Sequence, residues 1–193
     1  MKLPKLTLAT ILLTAGLMLA PQVHELLYFE HDQVLSGSWW RLLSGHLIHT
    51  DWGHWFWNMA ALGVLGGYLE QNSRILWIST ILAGVVSVDL LLMSGVTQVT
   101  RYCGLSGVLN TLLVMALYLY GRQTRSGWVI VAGLICLAKL ILELHSGTSL
   151  LTHIRWPPFP PAHLAGTLAG AVMILTQLGL DNKSGLSKNT AIG

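Results

Sequence analysis

Charged side chains are scarce in this sequence. Only 10% of its 193 residues are Asp, Glu, Lys or Arg, whereas an ordinary soluble domain has roughly 25%. Hydrophobic residues make up 53% of the chain, which leaves too little polar surface to face water on every side. The composition therefore excludes an ordinary soluble globular protein and indicates an α-helical membrane protein of about one domain.

Cysteines and dense basic clusters are also scarce. The two cysteines, Cys103 and Cys136, are too few for a disulfide framework, and we interpret both as small apolar fillers. The isoelectric point is about 9.0, but the basic residues form no single patch that favours nucleic acid. Their spread among predicted loops is typical of charges that set membrane orientation.

Apolar segments of helical length are what the chain has instead. Each is near the ~20 residues that a helix needs to cross a bilayer. They cover residues 3–20, 54–70, 75–93, 104–120, 127–144 and 162–180. The pattern predicts an all-α membrane protein, a bundle of six transmembrane helices over residues 1–180, followed by a short polar, disordered tail over residues 181–193.

The first segment has a second interpretation. Lys2 and Lys5 precede a leucine-rich run that ends at Leu19-Ala20-Pro21, which also resembles a signal peptide. A proline directly after the cleavage point is unfavourable, so we favour a retained helix.

Loop cations predict the orientation of the bundle. With a cytoplasmic N-terminus, seven of them lie inside and three outside. The inner set is Lys2, Lys5, Arg74, Arg122, Arg125, Lys183 and Lys188, and the outer set is Arg41, Arg101 and Arg155. Six helices then place both termini in the cytoplasm and the long connection over residues 21–53 on the outer face.

Polar residues recur at one predicted depth. The second, fourth and sixth helices run inward, and their first turns carry His54 with Asn58, then Ser106, then His163. Polar groups at membrane depth are costly and are functional candidates. A histidine that takes the proton of a serine makes a nucleophile–base pair. Asn58, one turn below His54, and the Ser106 backbone amide are candidate donors to an oxyanion.

Small residues beside these positions permit close helix packing. Gly107 follows the serine, and Gly166 and Gly170 share a face with His163. Taken singly, Gly-x-Ser-Gly is common at helix breaks and Gly-x-x-x-Gly usually serves packing. Their coincidence with a histidine at one depth favours a catalytic site.

The chain resembles the rhomboid family of intramembrane serine proteases over nearly its whole length. The matching residues are Trp40-Arg41, His49, His54, Asn58, Gly66-Gly67, Glu70, Gly104-Leu105-Ser106-Gly107 and Ala162-His163-x-x-Gly166-x-x-x-Gly170. The resemblance implies Ser106 as nucleophile, His163 as base, and His54 and Asn58 as oxyanion donors. Residues with implied structural or substrate-supporting roles are His49, Arg41, Gly104, Gly107, Gly166 and Gly170. It also implies a dyad without a catalytic acid, in agreement with the lack of an acidic residue beside His163 in the sequence.

A finer resemblance is to rhombosortases, which are compact bacterial rhomboids. It is carried by Arg101-Tyr102-Cys103-Gly104-Leu105-Ser106-Gly107-Val108-Leu109-Asn110, and Asn110 departs from many other rhomboids. It implies a protein of the bacterial inner membrane whose site opens to the periplasm. The implied partners are the lipid bilayer and secreted proteins anchored by a C-terminal Gly-Gly motif and transmembrane helix. After cleavage, the acyl-enzyme passes to water or to a lipid-derived amine.

Other functions stay open at this point. A general rhomboid protease cleaves other single-span proteins, a non-catalytic rhomboid-like protein binds clients, and a small-molecule transporter is a third class. We expect no cofactor, no metal and no nucleic-acid partner.

Several further residues have two interpretations each. Asp51 either orients His54 or caps its helix, and the cap is the commoner role. His46, His49 and His54 invite a zinc site, but their spacing lacks a clear ligand set, and we expect His49 to make a structural hydrogen bond in the outer loop.

Three charged residues, Asp89, Lys139 and Glu143, fall in the outer halves of predicted helices. Lys139 and Glu143 are one turn apart, so we predict an ion pair that faces the bundle. The proline-rich segment over residues 156–161 is either a lid over the site or a stiff connector.

Overall fold

The computed structural model describes residues 3–150 and 158–190, with side chains described through residue 178. The long helices are α1 (Lys5–Met18), α5 (Trp52–Ala61) continued by a π-helical stretch (Leu62–Gly66) and α6 (Gly67–Asn72), α7 (Arg74–Met93), α8 (Ser106–Thr124), α9 (Trp128–Ser146) and α10 (Pro160–Thr190). The connection after α1 contains a 3₁₀ turn (Pro21–Val23), α2 (His24–Leu27), β1 (Phe29–Glu30), α3 (His31–Leu35) and α4 (Arg41–Ser44), and β2 (Arg101–Tyr102) precedes α8.

Three helices of the described chain are long and apolar enough to cross a membrane. They are Arg74–Met93, Trp128–Ser146 and Pro160–Leu178, and a fourth span results if Lys5–Met18 and Pro21–Leu27, bent by 89°, count as one. α8 has 19 residues, but Asn110, Arg122 and Gln123 lower its mean hydropathy. The helical membrane architecture is thus confirmed, while six spans and the orientation of the termini stay predictions.

Glu70 connects α6 to the first turn of α1. Its buried carboxylate accepts hydrogen bonds from the backbone N–H groups of Leu6 (2.9 Å) and Thr7 (2.8 Å). These N–H groups lie in the first turn of α1, where no helical acceptor exists and a negative charge is favourable. The carboxylate therefore caps a helix that is distant in sequence.

Small residues bring α10 against α8. A Cβ atom at Gly166 would overlap the carbonyl of Gly107, and one at Gly170 would lie 2.6 Å from Cβ of Val114. Thr111 reinforces the approach by donating from Oγ1 to the Gly166 carbonyl at 2.9 Å. The first turns of the two helices therefore lie side by side.

The connection between α1 and α5 is held against the segment before Ser106 by backbone hydrogen bonds. β1 pairs with β2 in antiparallel register, Phe29 opposite Tyr102, and the Gly104 N–H donates to the Gly45 carbonyl at 3.0 Å. Buried Arg41 donates to the carbonyls of Tyr28 (2.8 Å) and Glu25 (3.0 Å). The observed contacts of Arg41 are thus structural and lie within the connection.

The C-terminal part contains the predicted tail and part of the predicted lid. α10 is helical through Thr190, beyond the predicted helix end at residue 180, and the disordered tail over residues 181–193 stays a prediction. No proline interrupts this stretch, and each residue added to an existing helix gains one hydrogen bond. The predicted lid over residues 156–161 lies partly outside the described residues, because only residues from 158 onward are described.

Candidate active site

Ser106 and His163 meet at the interface of α8 and α10. Ser106 is the first residue of α8, and His163 lies in the first turn of α10. Ser106 Oγ and His163 Nε2 are 3.0 Å apart, within reach of a proton transfer. The imidazole is largely buried, with 8% of its residue surface exposed.

Glu143 lies on the opposite side of the imidazole. Its Oε2 is 2.9 Å from Nδ1 of His163, so the prediction that no acidic residue stands beside this histidine is wrong. The two residues are twenty positions apart and meet because the last turn of α9 packs beside the first turn of α10. Sequence neighbours of His163 therefore did not reveal the contact.

Lys139 forms the ion pair with Glu143 that its spacing predicts. Lys139 Nζ lies 2.6 Å from Glu143 Oε1, and the backbone N–H of Leu150 donates to the same oxygen at 2.9 Å. Glu143 is 1% exposed. The sequence did not lead us to predict Glu143 as a site residue. One signal was present, because Glu143 is an acidic residue predicted in the outer half of its helix, where Ser106 and His163 are also predicted.

His54 and Asn58 line the same cavity as Ser106. Within the described residues, neither Nδ1 of His54 nor Nδ2 of Asn58 has a hydrogen-bond partner, although both atoms are buried. An amide N–H in this situation is available to an incoming oxygen. The Ser106 N–H adds a donor, because the first turn of α8 offers it no helical acceptor.

Gly104 keeps the serine segment against His54. Its φ of +106° is one that side chains disfavour, and a Cβ atom there would lie 2.5 Å from Cε1 of His54. Both the turn and the close approach require glycine at this position.

Two further polar side chains surround the serine. The buried hydroxyl of Tyr102 lies beside Ser106 and the Gly107 amide, and burial raises the pKa of this phenol. Asn110 donates from Nδ2 to the Ser106 carbonyl at 2.9 Å. Sequence reasoning did not single out Tyr102; an aromatic residue just before Gly-x-Ser-Gly was the only available signal.

A cavity of about 870 Å³ opens onto these groups. It is bounded by α5, α8, α9 and the segment before α8, and Pro158 and Phe159 lie at its edge. Its polar lining includes Ser106, His163 and Lys139. The volume is sufficient for a peptide segment and for the water that hydrolysis consumes.

The other histidines have separate surroundings. His46 Nε2 is 3.1 Å from Oδ1 of Asp89 on α7. His49 packs edge-on against His54, with ring centroids 4.9 Å apart, and makes no well-formed hydrogen bond within the described residues. The predicted structural hydrogen bond of His49 stays a prediction, and burial lowers the pKa of His49 to about 3. Asp51 caps α5 by accepting from the His54 N–H at 2.8 Å, which confirms the capping interpretation.

The Rhomboid domain family model matches residues 36–179, from the connection after α1 into α10. The chain belongs to the rhomboid family. Rhomboid proteins are intramembrane serine proteases, and the matched region contains all the site residues described above. No curated protein matches the sequence at a significant level.

Proposed function

We propose that this rhomboid is an intramembrane serine endopeptidase in which Ser106 is the nucleophile and His163 the general base. The observation that carries the proposal is the 3.0 Å contact between Ser106 Oγ and His163 Nε2. A serine hydroxyl is a weak nucleophile until a neighbouring base removes its proton. Contact with the cavity gives a substrate access to that oxygen.

Each step of the reaction has a group to perform it. Ser106 Oγ attacks the scissile carbonyl carbon while its proton passes to His163 Nε2. The oxyanion that forms accepts hydrogen bonds from Asn58, His54 and the Ser106 N–H. The C–N bond then breaks, His163 returns the proton to the departing amine, and an ester joins Ser106 to the N-terminal product. Water, deprotonated by His163, cleaves the ester and restores the serine.

For the substrate we propose a rhombosortase-type activity in the bacterial inner membrane, with the site open to the periplasm. The substrates are then secreted proteins with a Gly-Gly motif before a C-terminal transmembrane helix. The resemblance of residues 101–110 to rhombosortases supports this substrate class. Glycines also lower the cost of unwinding a helix into the site, by about 1 kcal/mol each relative to alanine. Attack on the ester by a lipid-derived amine in place of water forms a new amide.

Labelling with a fluorophosphonate tests the catalytic proposal. Purified protein in detergent is compared with Ser106→Ala and His163→Ala, and thermal unfolding checks that each variant is folded. Labelling of the wild type alone supports an activated serine. If the folded wild type is not labelled even by a fluorophosphonate small enough to enter the cavity, the proposal is contradicted. That outcome favours a non-catalytic client-binding protein.

A reporter tests the substrate class. The reporter carries a periplasmic domain, a Gly-Gly motif, an apolar helix and a basic tail, and it is co-expressed with wild type or Ser106→Ala. Release that requires both Ser106 and the glycines supports the rhombosortase type. Equal release after both glycines are changed to alanine indicates a general rhomboid protease. The mass of the new C-terminus distinguishes a free carboxylate from an amide.

A further inference from the structure

We propose that Glu143 is a positioning residue of the active site, which holds His163 in the tautomer and orientation required to take the proton of Ser106. The inference rests on the proposed Ser106–His163 reaction. It adds to that reaction a carboxylate from α9, so that the site has three members in a row: Ser106, His163 and Glu143.

The hydrogen-bond chemistry determines the tautomer. A neutral imidazole has one N–H, and an ionised carboxylate only accepts hydrogen bonds. The 2.9 Å contact between His163 Nδ1 and Glu143 Oε2 therefore places the proton on Nδ1. Nε2 is left with its lone pair directed at Ser106 Oγ, 3.0 Å away. This is the arrangement that a general base requires.

The same contact favours the charged form of the base. When His163 takes the serine proton it becomes an imidazolium, and the negative charge of Glu143 is already in place beside it. Both side chains are nearly buried, with 8% of His163 and 1% of Glu143 exposed. An interaction between opposite charges is weakly screened there and needs no rearrangement during the reaction.

Glu143 is itself held in position. Its Oε1 receives Lys139 Nζ at 2.6 Å and the Leu150 N–H at 2.9 Å, while Oε2 receives His163. The two oxygens thus have separate partners. An ion pair within α9 would need only Lys139 and would not require Oε2 to face α10.

A purely structural role of Glu143 has to be distinguished from the positioning of His163. Leu140 and Glu143 are the two buried residues of α9, so Glu143 also contributes to holding α9 on the bundle. Asp89 provides a matched control, because it too is a carboxylate on an apolar helix that contacts a buried histidine, His46, at 3.1 Å.

The experiment compares Glu143→Gln with Asp89→Asn. For each, the fluorophosphonate reaction is resolved into its maximal inactivation rate, kinact, and its half-saturating concentration, KI, and the Tm is measured. We expect Glu143→Gln to lower kinact by at least ~10-fold and up to ~10⁴-fold with KI unchanged, because an amide can stabilise the wrong tautomer. Asp89→Asn should change kinact by less than ~2-fold, at a Tm similar to that of Glu143→Gln. Wild-type kinact in a folded Glu143→Gln variant overturns the proposal.

A second variant covers loss of folding. If Glu143→Gln has no unfolding transition, Glu143→Asp replaces it, since this residue keeps the charge but retracts the carboxylate by one methylene. A lowered kinact with a retained Tm again supports the positioning role, and wild-type kinact again overturns it. If the folded wild type itself does not react, the proposed function fails first. If the wild type reacts and Glu143→Gln reacts equally fast, the proposed function stands and only the positioning role fails.

Discussion

Among the described residues, two buried histidines each contact a carboxylate on a neighbouring helix, and one of the two also contacts a serine. His163 Nδ1 contacts Glu143 at 2.9 Å and its Nε2 contacts Ser106 at 3.0 Å. His46 Nε2 contacts Asp89 at 3.1 Å, but within the described residues its Nδ1 has no partner. A carboxylate–histidine contact therefore does not define a base. The second ring nitrogen must also reach a nucleophile.

The largest expected effect separates the two histidines directly. We expect His163→Gln to lower fluorophosphonate labelling by at least ~10³-fold, because His163 Nε2 is the base that contacts Ser106 Oγ, at 3.0 Å. His46→Gln should keep labelling and lower only the Tm. The labelling rates and Tm values of both variants check this prediction. Equal losses of labelling would show that both histidines act through folding.

A smaller effect is expected for Asn58, which lines the active-site cavity but belongs to neither carboxylate–histidine pair. Asn58→Ala should lower the labelling rate by ~10²- to 10³-fold, as loss of one oxyanion donor does. The Tm should hardly change, because Nδ2 of Asn58 has no partner among the described residues to lose.

Asn72→Ala is the control for Asn58→Ala. Asn72 is an exposed residue at the far end of the same continuous helix, so labelling should stay at the wild-type rate. A large fall in Tm for Asn58→Ala would instead assign Asn58 a structural role.

The close packing of α10 against α8 is a third feature that a substitution can test. Gly166→Ala introduces a methyl group where the Gly107 backbone lies, and we expect it to destabilise the fold by about 1–3 kcal/mol. Labelling should fall as well, because α10 carries His163 and α8 carries Ser106. Gly133→Ala on α9 is the matched control, since no atom lies within 4 Å of a Cβ there. Tm and labelling that are alike in the two variants would contradict the packing argument.

The smallest expected effect concerns His49, a buried histidine that packs edge-on against His54. Burial lowers the pKa of His49 from 6.5 to about 3, so between these values the unfolded chain binds a proton that the folded protein does not. Its contribution to stability is therefore present above about pH 6.5 and is lost at about 1.4 kcal/mol per pH unit as the pH falls.

His49→Gln removes that titration. We expect its Tm to fall less than the wild-type Tm between about pH 7.5 and about pH 5.5. Thermal unfolding in detergent at both pH values measures the difference. Equal slopes for wild type and variant would show that His49 is protonated, or exposed, in the folded protein.

Much of the fold follows from local sequence. Apolar segments of helical length predicted the long helices to within about four residues at each end, except that α10 continues past residue 180 to Thr190. Polar or small residues bounded most of these segments. The capping role of Asp51 and the ion pair of Lys139 with Glu143 followed from spacing along one helix. Such features depend on neighbours that are three or four residues away, and a linear pattern contains them.

Contacts between helices were predictable only where a shared membrane depth and small residues both restricted the packing. Ser106 and His163 were expected at one depth, and the glycines at 107, 166 and 170 indicated that the helices approach closely. The contact of Glu143 with His163 was not foreseen. It depends on how far α9 is rotated and on where its last turn lies, and no periodicity of α9 encodes either quantity.

The sequence by itself determined a helical membrane protein, its rhomboid resemblance and the residue types of a serine–histidine site, because hydropathy and short motifs are local properties. Only the tertiary structure decided which carboxylate serves which histidine. Glu143 and Asp89 are both acidic residues of apolar helices, and the packing of α9 against α10 brings Glu143 to the histidine that contacts Ser106.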